Sequence, residues 1–221
     1  MALFSARGFS TTYKPQVSGT EGDDTLYAIA GRGAVFAGGG NDWVVGTSGN
    51  DQLYGGTGDD VLFGHGGNDR LYGEDGNDYI DGGTGQNVID GGAGDDVING
   101  SFGHASMLYG GEGNDTIFGG HTGNGMSGGE GDDVLHLDGN LAAPNVGPFV
   151  FASGGEGSDT LVFDGAIDVS SLQAFTVDGS FETLFVRWTG SNGSFHSGTV
   201  NSIEWIDAGN GVESILNYVV A

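Results

Sequence analysis

Residues 37–99 read AGGGNDWVV, GTSGNDQLY, GGTGDDVLF, GHGGNDRLY, GEDGNDYID, GGTGQNVID and GGAGDDVIN, seven consecutive nonapeptides without a gap. Numbered 1 to 9, each block favours Gly at positions 1, 2 and 4, Asp at position 6 and an aliphatic at position 8. Upstream, GTEGDDTLY (19–27) and the degenerate AIAGRGAVF (28–36) keep this register. Downstream come the ten-residue GSFGHASMLY (100–109), then GGEGNDTIF, GGHTGNGMS and GGEGDDVLH, ending at His136. After an irregular stretch, GGEGSDTLV (154–162) appears once more. A period held this long marks a stacked-repeat architecture, not the disorder that an acidic, Gly-rich composition would otherwise suggest.

Position 8 is apolar in every block where it is read: Leu26, Val35, Val44, Leu53, Leu62, Leu71, Ile80, Ile89, Ile98, Ile117, Met126, Leu135 and Leu161. One inward aliphatic per nine residues suits a three-residue strand with its middle side chain buried. Positions 7 and 9 then point outward, among them Tyr27, Phe36, Trp43, Tyr54, Phe63, Tyr72, Tyr79, Tyr109 and Phe118. The Gly-rich remainder can turn tightly and bring carbonyl groups close to an ion.

Composition narrows the partners. The 221 residues hold 48 Gly, no Cys, 5 Lys+Arg and 30 Asp+Glu, for a formal net charge of −25. Nucleic acids and anionic membranes need basic patches, so this balance argues against them and favours cations. Without Cys there are neither disulfides nor Cys-ligated metals. Met1–Gln16 has no apolar stretch of signal-peptide length, and no segment is apolar enough for a membrane span.

The motif G-G-x-G-x-D-x-U-x resembles the calcium-binding nonapeptide of the RTX (repeats-in-toxin) family over residues 19–136 and 154–162. The resemblance implies an all-β fold, a parallel β-roll in which two repeats make one coil and successive strands lie in opposite sheets. It also implies Ca2+ ions held between turns one coil apart, by position-6 carboxylates and by carbonyls of the Gly-rich positions. Sorted by coil, one edge reads Asp24, Asp42, Asp60, Asp78, Asp96, Asp115 and Asp133, with position-4 glycines Gly22, Gly40, Gly58, Gly76, Gly94, Gly113 and Gly131 as carbonyl donors. The other edge reads Gly33, Asp51, Asp69, Asn87, a disrupted turn near Ala105, and Asn124. Asp159, in the last repeat, is a further candidate calcium ligand. The expected roll is lopsided: a continuous ladder of sites on one edge, and one good site, Asp51 with Asp69, on the other. Coils stack about 4.8 Å apart, where two unneutralised carboxylates repel by ~1–3 kcal/mol at surface-like dielectric. Seven in a column call for a cation. Asn87 keeps an oxygen but loses the charge, and Glu74 at position 2 is read as a cheap replacement of Gly.

No catalytic constellation stands out. His65, His104, His121, His136 and His196 form no metal-ligand spacing, and there is neither a nucleophile elbow nor a P-loop. The chain is therefore read as non-enzymatic. Residues 1–18 are expected to form an arm outside the register, and 19–136 the roll. Residues 137–162 are read as an irregular loop plus the last repeat. Residues 163–221, with strand-like AFTV, TLFVRW and TVNSIEWID, form a C-terminal β-rich cap. The ending Asn217–Ala221 resembles the uncleaved signal that type I exporters read, which places the protein outside the cell or at its surface. The leading functional expectation is a calcium-folded component of a surface layer, filament, matrix or adhesion system, self-associating as a homo-oligomer or polymer. A toxin-like effector and the C-terminal module of a secreted enzyme remain as alternatives.

Overall fold

The computed structural model describes residues 16–30, 34–101, 106–120, 124–138, 149–164, 167–176, 183–190, 195–203, 205–207 and 212–214. The expectations for residues 1–15, Gly33, Ala105 and 217–221 fall outside the described residues.

The strands in chain order are β1 (Val17–Ser18), β2 (Thr25–Tyr27), β3 (Val35–Gly39), β4 (Trp43–Val45), β5 (Gln52–Thr57), β6 (Val61–Phe63), β7 (Arg70–Asp75), β8 (Tyr79–Gly83), β9 (Val88–Ala93), β10 (Val97–Ser101), β11 (Met107–Glu112), β12 (Thr116–Phe118), β13 (Gly125–Glu130), β14 (Val134–Asp138), β15 (Phe149–Glu156), β16 (Thr160–Asp164), β17 (Ile167–Thr176), β18 (Thr183–Gly190), β19 (Phe195–Asn201), β20 (Trp205–Asp207) and β21 (Val212–Ser214). Odd strands from β1 to β15 pair in order in one parallel sheet, and even strands from β2 to β16 in a second. Register advances by 18 residues per coil, with Val35 opposite Leu53 and Leu53 opposite Leu71. This is the expected parallel β-roll. Among the described residues no helix is long and apolar enough to cross a membrane.

The nonapeptide explains the coil. Positions 7 to 9 are extended, and position 8 faces inward. Glycines at positions 2 and 4 then turn the chain, as at Gly56 (φ 118°) and Gly58 (φ 115°), in a region that other residues rarely adopt. Glu74 and His65 hold position 2 at φ 80° and 67°. The substitution read as cheap at Glu74 therefore carries backbone strain, on the order of 1–3 kcal/mol. Between the sheets runs a single file of fully buried aliphatics that includes Leu53, Leu62, Leu71, Ile80, Ile89 and Ile98.

The structure extends this file beyond the positions read from the sequence. Leu108 is buried in the column: the pairing offset is 18 residues at Ser101, opposite Gly83, and 19 at Met107, opposite Val88. Ala152 is buried opposite Met126, so β15 carries the sheet through a stretch expected to be irregular. Val17 and Ser18 pair with Val35 and Phe36, so the roll starts two residues inside the expected arm.

Beyond residue 163 the chain is again strand-rich. β19 and β20 add one more coil without the repeat motif, placing Val200 beside Ala152 and Ile206 beside Leu161. The sheets then change character. β17, β18 and β19 pair antiparallel, as do β20 and β21. Each sheet thus ends at its C-terminal side in an antiparallel strand.

Candidate metal centre

Each edge of the roll is a column of position-6 side chains. On the first edge, the Asp24 N–H donates to Asp42 Oδ1 at 2.7 Å, and the pattern repeats through Asp60, Asp78, Asp96, Asp115, Asp133 and Asp159 at 2.7–2.9 Å. The column runs one coil beyond the expected seven, to Asp159. On the second edge, Asp51 N–H donates to Asp69 Oδ1 (2.8 Å), Asp69 N–H to Asn87 Oδ1 (2.9 Å), and Asn87 N–H to Ser106 Oγ (3.0 Å). The next bond runs from Ser106 N–H to Asn124 Oδ1. Ser106 fills the place expected to be disrupted: its hydroxyl supplies the acceptor that the ladder needs, which no scan for Asp or Asn would find.

One carboxylate oxygen remains over at most rungs. Oδ2 of Asp42, Asp60, Asp69, Asp78, Asp96, Asp115 and Asp133 is buried without a hydrogen-bond partner. An unpaired buried charge is expensive. Its surroundings are also oxygen-rich. A Cβ built on Gly73 would run into both Asp78 Oδ2 and the Gly91 carbonyl oxygen, and Gly55, Gly91, Gly110 and Gly128 show the same convergence. On the second edge, a Cβ on Gly64 would lie 2.7 Å from Asp69 Oδ2 and 2.8 Å from Gly82 O. On the first edge the position-1 glycine thus leaves a cradle in which a buried, unpartnered carboxylate oxygen and the next coil's position-1 carbonyl meet.

These position-1 carbonyls belong to the Gly-rich positions expected to donate, although only position-4 glycines were named by number. The position-4 glycines form a separate row, in which Gly40 O lies against Gly58, Gly58 O against Gly76 and Gly94 O against Gly113. Gly22 stands apart, with open space where a Cβ would be. Among the described residues no three acidic or imidazole side chains converge. The residues fit a hard cation that takes carbonyl and carboxylate oxygens together, which is calcium's preference.

Burial sets the electrostatics. Loss of solvent pushes the carboxyls of Asp60 and Asp115 up to about 7, Asp69 and Asp78 to about 6, and Asp96 to about 8. The backbone N–H received at Oδ1 opposes the rise, and neighbouring carboxylates add to it. Asp42 and Asp133 are raised for the same leading reason.

Three rungs are satisfied by the protein itself. Thr20 donates its N–H (2.7 Å) and hydroxyl (2.8 Å) to Asp24 Oδ2. Thr47 does the same for Asp51 Oδ2, at 2.6 and 2.9 Å. Asn87 donates Nδ2–H to Gly82 O at 2.9 Å, occupying the carbonyl that faces Asp69.

A second, outer ladder occupies position 5 of the first edge. Asn41 N–H donates to Asp23, Asp59 N–H to Asn41, Asn77 N–H to Asp59, and Asp95 N–H to Asn77. Asn114, Asp132 and Ser158 continue it. Exposed carboxylates and amides alternate strictly from Asp23 to Asp132.

With this geometry in view, the chain's relatives can be placed. The family model for the RTX calcium-binding nonapeptide repeat matches four times, at residues 16–32, 36–71, 72–107 and 105–135, more than half of the chain. The chain belongs to the RTX calcium-binding repeat family, whose members are typically secreted. No curated protein matches it significantly. Among solved structures it is similar to the AlgE6R3 subunit from the Azotobacter vinelandii mannuronan C5-epimerase, with 20% identity, a TM-score of 0.31, and coverage of 79% of this chain and 80% of that one.

Proposed function

We propose that this protein is exported unfolded through a type I secretion system and folds on extracellular calcium into a non-enzymatic, structural element of a surface layer, filament, matrix or adhesion system. The observation that carries this reading is the column of buried, unpartnered Oδ2 atoms at Asp42, Asp60, Asp78, Asp96, Asp115 and Asp133, with Asp69 on the other edge. These carboxylates and the facing position-1 carbonyls would hold the ions. Calcium supplies the positive charge that lets stacked carboxylates ionise together. Asp159 continues the ladder by accepting the Asp133 N–H.

The ends of the roll support self-association into a homo-oligomer or polymer. Strand β2 pairs only with β4 among the described residues, Leu26 beside the core is only partly buried, and Tyr27 and Ile29 are exposed. Low calcium would keep the chain unfolded inside the cell, and millimolar calcium would fold it outside, in the affinity range of extracellular modules, roughly 10⁻⁴–10⁻³ M. Circular dichroism tests the reading: a largely unfolded chain in chelator and a β-rich spectrum in millimolar calcium are expected. A β-rich spectrum that chelator leaves unchanged overturns it.

A further inference from the structure

We propose that Thr20 and Thr47 take the place of a metal ion at the first aspartate of each edge, so that the ion ladders begin one coil further in, at Asp42 and Asp69. This rests on the reading of the position-6 carboxylates as calcium ligands. At the inner rungs Oδ2 is buried and unpartnered, whereas Asp24 and Asp51 each receive two donors from the threonine four residues earlier.

The threonine hydroxyl is itself held. Gly49 N–H donates to Thr47 Oγ1 at 3.0 Å, which turns the hydroxyl hydrogen toward Asp51. Gly22 N–H approaches Thr20 Oγ1 in the same way, at 3.3 Å. Two donors to one carboxylate oxygen are charge-assisted bonds, the stronger kind. They neutralise the demand that a cation meets elsewhere.

The backbone fixes the choice. Position 2 takes positive φ at Gly38, Gly56, Gly92, Gly111, Gly129 and Gly155, and even at Glu74 and His65, but not at Thr20 or Thr47. Only in the threonine conformation does the position-2 N–H turn toward the aspartate. A β-branched residue resists the positive-φ alternative, so calcium arriving at Asp51 would have to break both bonds and strain Thr47. The first coil on each edge is therefore closed by hydroxyls, and the metal requirement starts behind it.

Native mass spectrometry of the full chain in calcium counts the ions directly. Asp24→Asn and Asp51→Asn are expected to leave the count unchanged, while Asp60→Asn lowers it by at least one. The double variant Thr20→Gly, Thr47→Gly, which restores the family's residue, is expected to gain up to two ions. Loss of an ion on Asp24→Asn or Asp51→Asn, or an unchanged count in a folded double-glycine variant, overturns the proposal. A wild-type chain that binds no calcium overturns instead the reading on which it rests.

Discussion

The position-6 residue, together with the position-2 residue of the same repeat, decides whether a coil needs a metal, and substitutions should sort accordingly. Asp60→Asn removes a buried charge that only a cation balances, so the calcium midpoint of folding should rise several-fold. Asn87→Ala acts differently. Asn87 accepts from Asp69 N–H and donates to Gly82 O, so its loss strands two buried backbone groups. That should cost about 1–3 kcal/mol and appear as a lower melting temperature even in saturating calcium. Titrations of both variants followed by thermal melts separate the two effects. Protons compete for the same oxygens. In the metal-free fold, burial raises Asp60 and Asp115 to about 7 and Asp96 to about 8, against about 3.9 in an unfolded chain. A raised folded pKa leaves the fold unpenalised below about pH 4 and penalises it increasingly as pH climbs through the folded values. The chelated chain should therefore gain structure on acidification from pH 8 to 5. The calcium-bound chain should instead show a rising calcium midpoint over the same interval. Circular dichroism at both pH values, with and without calcium, reads the two opposite slopes.

At the scale of the coil, glycines differ in what they exclude. Gly73→Ala would push a methyl into Asp78 Oδ2 and the Gly91 carbonyl, filling a cradle. Gly22→Ala meets open space. The first should raise the calcium midpoint markedly and the second should shift stability by no more than about 0.5 kcal/mol, as paired calcium titrations and melts would show. The coil was legible in the sequence because position 8 and position 6 repeat with one spacing, and 18 residues bring like positions together. What escaped had no such mark. Leu108 lay behind an extra residue, and Ala152 is too small to announce itself as core. Val17 and Ser18 carry neither Gly nor Asp. Nothing in the sequence sets Thr20 and Thr47 apart, since only the backbone torsion reveals which way their donors turn. The position-1 carbonyls are invisible to residue type altogether, because every residue has one.

Over the whole molecule, the two ends are unlike. The C-terminal side closes with antiparallel strands, while the N-terminal side begins with the two-residue β1 and with β2 bonded on one edge among the described residues. Unpaired strand edges are templates for another chain. Sedimentation in millimolar calcium should show concentration-dependent association; a strict monomer at high concentration counts against it. The sides of the roll meet a different rule, set by the alternating outer row at position 5. Its carboxylates Asp23, Asp59 and Asp95 fall on every second coil, which at the stacking distance places them about 10 Å apart. That is slightly more than the Debye length of about 8 Å at physiological ionic strength. Salt therefore screens each outer charge from its own neighbours along the roll, and the row adds little internal repulsion. Calcium filling the inner column leaves these exposed charges in place. The folded roll keeps a negatively charged flank, so two copies approaching side by side would be repelled at short range while their ends remain free to meet.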